Sequence, residues 1–251
     1  MNKAGESEVQ AGDNQARSYE GVTVSSLVAA AHELKSPLAL MRQLLLHLES
    51  DGLSEDQRLD TVRRARITAE RGLRLTADIT KSARLEEGAL FTLEPINPEQ
   101  ICMDIAAELA PLFEAHGRAV EVRTRKHPLL LVANRDLLRR ILIGFSDNAL
   151  HYSHPGSPVE MQITALKKAG TVRVGVRDYG PAVSSDLWQS LQKKMKLAPQ
   201  PVHARPESSG LGLMLAQQFA EYMQGEIGVV RHKDGATFYV DLQASTQLSL
   251  L

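Results

Sequence analysis

Apolar residues recur in the first third of the chain at Leu27, Ala31, Leu34, Leu38, Met41, Leu45 and Leu48. Alternating steps of four and three are the seam of a coiled coil or helix bundle, and they predict a helix from about Val22 to Glu49. Ser50-Asp51-Gly52 is a turn signal. Ser54 with Glu55, Asp56 and Gln57 then supplies an N-cap, an acidic first turn and the spacing of a capping box. The second helix runs to about Leu85, with Leu59, Val62, Ala69 and Leu73 in its stripe and many arginines outside it. Two long amphipathic helices joined by a short turn make an antiparallel hairpin. One hairpin is too thin to bury both stripes, so pairing with a second copy into a four-helix bundle, a homodimer, is expected.

The pattern changes after Gly88, and Pro95 and Pro98 mark a domain boundary. Helices are predicted from Pro98 to about His116, from Asn134 to Tyr152 and from Gly210 to Met223. Short strands are predicted at Ala119–Thr124, Leu129–Val132, Val159–Leu166, Thr171–Arg177, Glu226–Arg231 and Thr237–Leu242, with a loop from Tyr179 to Ser209. Helices with antiparallel strands on one sheet argue an α+β fold. The expected organisation is a polar, flexible lead-in over 1–21, the helix hairpin over 22–88, a mixed domain over 95–244 and a tail over 245–251.

Composition adds limits rather than direction. A chain of 251 residues holds one large or two small domains, and a formal net charge of −1 gives no sign of nucleic acid or of a membrane surface as partner. The single cysteine, Cys102, excludes an intramolecular disulfide framework and fits a buried apolar role in a reducing compartment. No apolar run is long enough to span a bilayer and no signal peptide is visible, so the expectation is a cytoplasmic chain, or one whose input module lies beyond this stretch. Aromatics make up only 4%, so the cores must rest on aliphatic residues.

Chemistry concentrates in Ala31-His32-Glu33-Leu34-Lys35-Ser36-Pro37-Leu38. His32 follows a seam position and is expected to face outward, and Pro37 removes the hydrogen bond to the carbonyl of Glu33, so a bend is expected there. On residues alone this is a bundle helix carrying a solvated His-Glu pair. The segment also resembles the phosphoacceptor box of sensor histidine kinases, usually S-H-E-L-R-T-P-L. That resemblance implies that His32 attacks the γ-phosphate of ATP, that Glu33 acts as base and fixes the imidazole tautomer, and that Ser36 stands where the family orients water for dephosphorylation. Arg84-Leu85-Glu86-Glu87-Gly88 resembles the segment that follows the family's acceptor helices.

Four further matches follow in the family's order. Gly144 to Ser153 resembles the asparagine box, which puts Asn148 on Mg²⁺ and brings His151 and Tyr152 to the nucleotide, with Gly144 and His151 replacing the usual asparagine and lysine. Asp178-Tyr179-Gly180 resembles the D-x-G turn, where Asp178 would accept the adenine amino hydrogen and Gly180 would let the backbone pass the base. Ser208-Ser209-Gly210-Leu211-Gly212-Leu213 resembles the glycine box that holds phosphates at a helix N-terminus, implicating Gly210, Leu211 and Gly212. Gly235-Ala236-Thr237-Phe238 resembles the closing strand, with Thr237 near the adenine through Asp178. The lid between the two glycine motifs lacks the family's phenylalanine but carries Lys193, Lys194, Lys196, His203 and Arg205. Arg205 is the candidate to supply phosphate charge, beside the plainer reading of a solvated basic loop.

Taken in order, these matches imply a histidine-kinase core: a dimerisation and phosphotransfer hairpin, then an ATP-binding α/β sandwich of the GHKL (Bergerat) type. ATP and Mg²⁺ are the implied cofactors, and a second copy and a response-regulator receiver domain the implied partners. The alternatives are a catalytically degenerate dimeric adaptor or phosphotransfer protein, and a GHKL ATPase of the chaperone or topoisomerase kind, which the acceptor-like hairpin disfavours.

Overall fold

The computed structural model describes residues 30–31, 33–50, 52–125, 129–166, 170–195 and 211–246. It divides into two compact units, with a break inside the second helix between Lys81 and Ser82. Helix α1 (30–31 and 33–48) and helix α2 (Glu55–Glu86) make up most of the described part of the first unit. The capping box that starts α2 is formed: the Ser54 amide donates to Gln57 Oε1 at 3.0 Å, and the Gln57 amide donates to Ser54 Oγ at 3.2 Å. Gly72 of α2 faces Pro37 of α1, whose Cβ and Cγ would stand 3.9 Å from a β-carbon placed on the glycine.

The buried stripe differs from the predicted seam. On α1, Ala30, Pro37 and Leu44 are buried, while Ala31, Leu38 and Leu45 are exposed. On α2, Thr61 and Thr68 are buried, whereas the predicted Leu59, Val62 and Leu73 are 59%, 50% and 71% exposed. The threonines can be buried because each hydroxyl donates within its own helix, Thr61 to the Gln57 carbonyl at 2.7 Å and Thr68 to the Arg64 carbonyl at 2.8 Å. The apolar stripe read from the sequence is therefore the face that a single hairpin leaves open.

The second unit is built on a five-stranded sheet with β2 (Val120–Arg125), β4 (Val159–Ala165), β5 (Thr171–Arg177), β7 (Gly235–Gln243) and β6 (Glu226–His232) in that spatial order. Only β2 and β4 run parallel, and the chain between them crosses over through α4 (Arg135–Tyr152). A two-stranded antiparallel sheet, β1 (Glu94–Ile96) with β3 (Leu131–Ala133), meets the end of β7 through a bridge between Leu131 and Ala244. The proline-marked boundary hid β1, where Pro95 is tolerated because a two-stranded sheet consists of edges.

Helices α3 (Pro98–Ala115) and α4 pack on one face of the large sheet. Each starts at an asparagine N-cap: Asn97 Oδ1 accepts from the Glu99 amide at 3.0 Å, and Asn134 Oδ1 accepts from the Asp136 and Leu137 amides at 3.1 Å each. Phe113, Phe145 and Phe219 are fully buried, and Phe145 meets Phe238 of β7 with ring centroids 5.9 Å apart. Cys102 is buried as expected, and burial, with Glu99 nearby, pushes its thiol up to about 12.

The predicted loop from Tyr179 to Ser209 is corrected by α5 (Ser185–Lys194). Its lysines suggested a solvated loop, but Leu191 and Met195 stand four apart and are buried, and the helix packs beside β6, where Arg231 donates to Ser185 Oγ at 3.0 Å. Helix α6 (Leu211–Tyr222) buries Leu213, Met214, Phe219 and Ala220. Tyr222 ties the preceding linker to this helix, accepting from the Phe91 amide at 2.6 Å and donating to the Phe91 carbonyl at 3.1 Å.

Candidate functional site

Strand β5 ends at Arg177, and the chain turns through Asp178, Tyr179 and Gly180. Asp178 is buried. Its backbone still continues the sheet, the amide donating to the Ala236 carbonyl at 2.9 Å. Its carboxylate accepts two backbone N–H groups, Gly180 on Oδ1 at 3.3 Å and Ala236 on Oδ2 at 3.2 Å. Burial pushes the Asp178 carboxyl above its usual range, while these two hydrogen bonds and the Arg177 charge pull against that rise. Two bonds leave lone pairs on both oxygens, so the carboxylate can still accept from a ligand donor.

Gly180 packs against the end of α4. A β-carbon there would collide with the Tyr152 carbonyl oxygen and stand 2.8 Å from the Tyr152 carbonyl carbon. Only glycine lets these two backbones pass; the approach is to the Tyr152 backbone, not the approach to a base that the D-x-G resemblance implied. Gly235 is held as tightly on the other side: φ is +121°, and a β-carbon would lie 2.6 Å from Asp178 Oδ1. The β6–β7 turn and the end of α4 therefore converge on one buried carboxylate.

Asn148, His151 and Tyr152 lie on the last turns of α4. Asn148 and Tyr152 are half-buried and His151 is exposed, its Nδ1 2.7 Å from the Asp147 carbonyl oxygen. The helix C-cap, Ser153, takes the Tyr179 amide on its hydroxyl at 3.4 Å, and the His154 amide donates to the Tyr179 carbonyl at 3.0 Å, so α4 and the D-x-G turn are stitched along their backbones. Arg118 adds a bond from Nη2 to the Ser153 carbonyl at 2.5 Å.

Thr237 stands on the other side of the sheet. Phe238 turns its ring toward α4, so alternation sends Thr237 to the opposite face, beside Gly175, with Oγ1 2.9 Å from His232 Nε2. The contact with Asp178 comes from the backbone of Ala236, which the sequence reading did not single out. Leu211 and Gly212 open α6; Leu211 is buried, and a β-carbon on Gly212 would meet nothing within 4 Å. Glu33, half-buried, and Ser36, exposed, lie on α1 in the first unit. His32, Arg205 and Gly210 fall outside the described residues.

The residues present suit an adenine base better than an all-protein metal site. Among the described residues no cluster of three or more His, Cys, Asp or Glu is placed to hold a metal ion. A Mg²⁺ ion that keeps its waters and bridges phosphates needs only one or two protein oxygens, which the side-chain amide of Asn148 can supply. Among the described residues no helix is long and apolar enough to cross a membrane.

Comparison with known proteins agrees with this arrangement. Residues 133–246 match the family described as histidine kinase-, DNA gyrase B-, and HSP90-like ATPase. Histidine protein kinase SaeS of Staphylococcus epidermidis is 26% identical over 215 residues, covering 85% of this chain and 61% of that protein. SaeS of Staphylococcus aureus is 26% identical over 238 residues, covering 94% and 68%. The chain thus spans about three fifths to two thirds of the curated relatives it matches. In fold it resembles the Acinetobacter baumannii histidine kinase AdeS (TM-score 0.59, 15% identity, 86% of this chain and 98% of that one). It also resembles the histidine kinase ThkA solved with response regulator protein TrrA (TM-score 0.61, 13% identity, 97% of this chain and 68% of that one). Residues 133–246 thus match the histidine kinase-, DNA gyrase B-, and HSP90-like ATPase family, and nearly the whole chain is similar in sequence to histidine protein kinases.

Proposed function

We propose that this chain is an ATP-dependent protein-histidine kinase of a two-component system. It would phosphorylate itself on His32 and pass the phosphoryl group to an aspartate of a response-regulator receiver domain. The observation that carries the reading is the buried Asp178 carboxylate, framed by Gly180, Gly235 and the Ala236 N–H at the end of the Asn148 helix. This is a socket for a base that offers an amino hydrogen, in an ATPase-like domain that follows the helix carrying Glu33.

The residues then take these roles. Asp178 selects adenine, and Gly180 makes room for it beside α4. Asn148 holds Mg²⁺ on the triphosphate, while Gly210, Leu211 and Gly212 offer backbone N–H groups to phosphate and Arg205 adds charge. His32 forms the new P–N bond as the bond from the γ-phosphorus to the bridging oxygen breaks and ADP leaves. Glu33 takes the ring proton. Most of the catalysis is positioning and charge neutralisation, which a chain departing from the usual motifs at Gly144 and His151 can still provide. The exposed apolar stripe on α1 and α2 supports a homodimer, since leaving Leu38, Leu59 and Leu73 in water would forgo about 1.5–3 kcal/mol each.

The test is incubation with Mg²⁺ and γ-labelled ATP. Wild-type protein should take up label that is stable to base and lost in acid, and His32→Gln should take up none while binding ATP normally. If wild-type protein binds ATP and stays unlabelled, the kinase reading fails and the adaptor reading replaces it.

A further inference from the structure

The side of the sheet away from Asp178 carries a charged network with no evident need to be there. Glu160 of β4 is 2% exposed, and sheet register sets it opposite Arg177 of β5. Its Oε1 accepts from the Tyr179 hydroxyl at 2.9 Å and pairs with Arg123 Nη2 at 3.0 Å; its Oε2 accepts from Gln162 Nε2 at 2.9 Å. The Arg177 guanidinium lies over the Tyr179 ring, 4.3 Å from the centroid. Arg177 also donates to the Asp178 carbonyl, to the Ala236 carbonyl at 3.4 Å and to Asp234 Oδ1 at 2.6 Å.

Three of these bonds end on the Asp178 turn or its frame: Tyr179 to Glu160, and Arg177 to the Asp178 and Ala236 carbonyls. Tyr179 lies between Asp178 and Gly180, so anchoring its hydroxyl to Glu160 fixes the turn from behind. Arg177 joins that turn to the β6–β7 turn, whose Ala236 N–H holds Asp178 Oδ2 from the front. A buried carboxylate on an otherwise mobile turn would sample several orientations, and a brace from the reverse face removes that freedom.

We propose that Tyr179, anchored by Glu160, is a positioning residue that aims the Asp178 carboxylate and so sets discrimination among purine bases. The inference rests on the reading of Asp178 as the adenine acceptor. Tyr179 touches no ligand in this account; it acts through Asp178.

The experiment compares binding of ATP with binding of inosine triphosphate, which carries a carbonyl where ATP carries its amino group. Calorimetry on the full chain gives both affinities, and thermal melts run alongside. Tyr179→Phe keeps the ring under Arg177 and removes only the hydroxyl. It should lower the ATP-to-inosine-triphosphate affinity ratio about three- to tenfold, the usual weight of one hydrogen bond, with inosine triphosphate binding little changed. Glu160→Gln keeps an acceptor for Tyr179 and should fall between wild type and Tyr179→Phe. Adding Tyr179→Phe to Asp178→Asn should change the ratio no further. A lower melting temperature with an unchanged ratio would make Tyr179 merely structural and overturn the proposal. A wild-type ratio near one would instead overturn the adenine reading itself, so the two failures are told apart.

Discussion

Replacing Asp178 by asparagine tests the site most directly, because both carboxylate oxygens are committed to backbone donors, Gly180 at 3.3 Å and Ala236 at 3.2 Å. An amide offers one oxygen and one NH₂ group. Whichever way it turns, it keeps one of these bonds and sets NH₂ against the other N–H, leaving two donors facing each other in a buried place. A buried donor without an acceptor costs about 1–3 kcal/mol. Some of that is returned, because ionised Asp178 bears a burial penalty above its raised pKa and a neutral amide bears none. The net loss should be about 0.5–2 kcal/mol, or roughly 1–8 °C in melting temperature at 2–4 °C per kcal/mol for a chain of this size. Nucleotide binding should suffer separately. Losing a charge-assisted bond to the adenine amino group costs about 1.5–3 kcal/mol, ten- to hundredfold in affinity. Calorimetry with ATP, beside melts without ligand, reads the two effects independently. An Asp178→Asn protein that binds ATP within twofold of wild type would refute the assignment of this carboxylate to the base.

Gly180→Ala should lower both melting temperature and ATP affinity, by about 1–3 kcal/mol of stability, because the new methyl meets the Tyr152 backbone and not a side chain that can swing aside; a melt unchanged within a degree would contradict the packing. Burial and the neighbouring Arg177 hold the His232 imidazole below its ordinary value of 6.5, with Asp234 opposing them. The unfolded chain therefore protonates first, so stability should fall as pH drops through the range just below 6.5, and His232→Gln should flatten that part of a pH series of melts. Leu38→Glu with Leu45→Glu places charge at two positions 60% and 50% exposed in the single chain, and should convert a dimer to a monomer by light scattering without unfolding the helices. A wild-type protein that is monomeric at high micromolar concentration would end that line.

The element pattern was largely legible, and where it was not the reason is specific. Strand β5 was read to the residue, and the helix start at Asn134 proved to be its N-cap. Helix α5 was missed because its lysines outweighed Leu191 and Met195 in a reading by charge. The hairpin seam is more instructive. Leu34, Met41 and Leu48 border both stripes, so periodicity alone cannot say whether 30, 37 and 44 or 31, 38 and 45 meet the neighbouring helix. The answer lies on α2, where Thr61 and Thr68 are buried by satisfying their hydroxyls within their own helix, which a hydropathy pattern cannot register. The leucines that the pattern did register are the ones left for another surface.

The same distinction governs the site. Asp178 and Gly180 were legible as residues because their places in the fold need those side chains: a carboxylate that accepts two backbone N–H groups, and a missing β-carbon, which the sequence reading assigned to a base and the fold places beside Tyr152. The Ala236 contact was not, since a backbone N–H can be offered by almost any residue, and only the positive φ of Gly235 beside it leaves a trace in the sequence. Thr237, chosen by likeness to the closing strand, turned out to face His232, because a strand's alternation assigns neighbouring residues to opposite faces. Glu160 and Tyr179 meet only because β4 folds back on β5 in a register that sets Glu160 opposite Arg177; shifting that register by one residue would send Glu160 to the α4 side and dissolve the brace. Under the proposed function, the residues that would touch a base can thus be read from a motif, whereas those that would aim it are chosen by strand register.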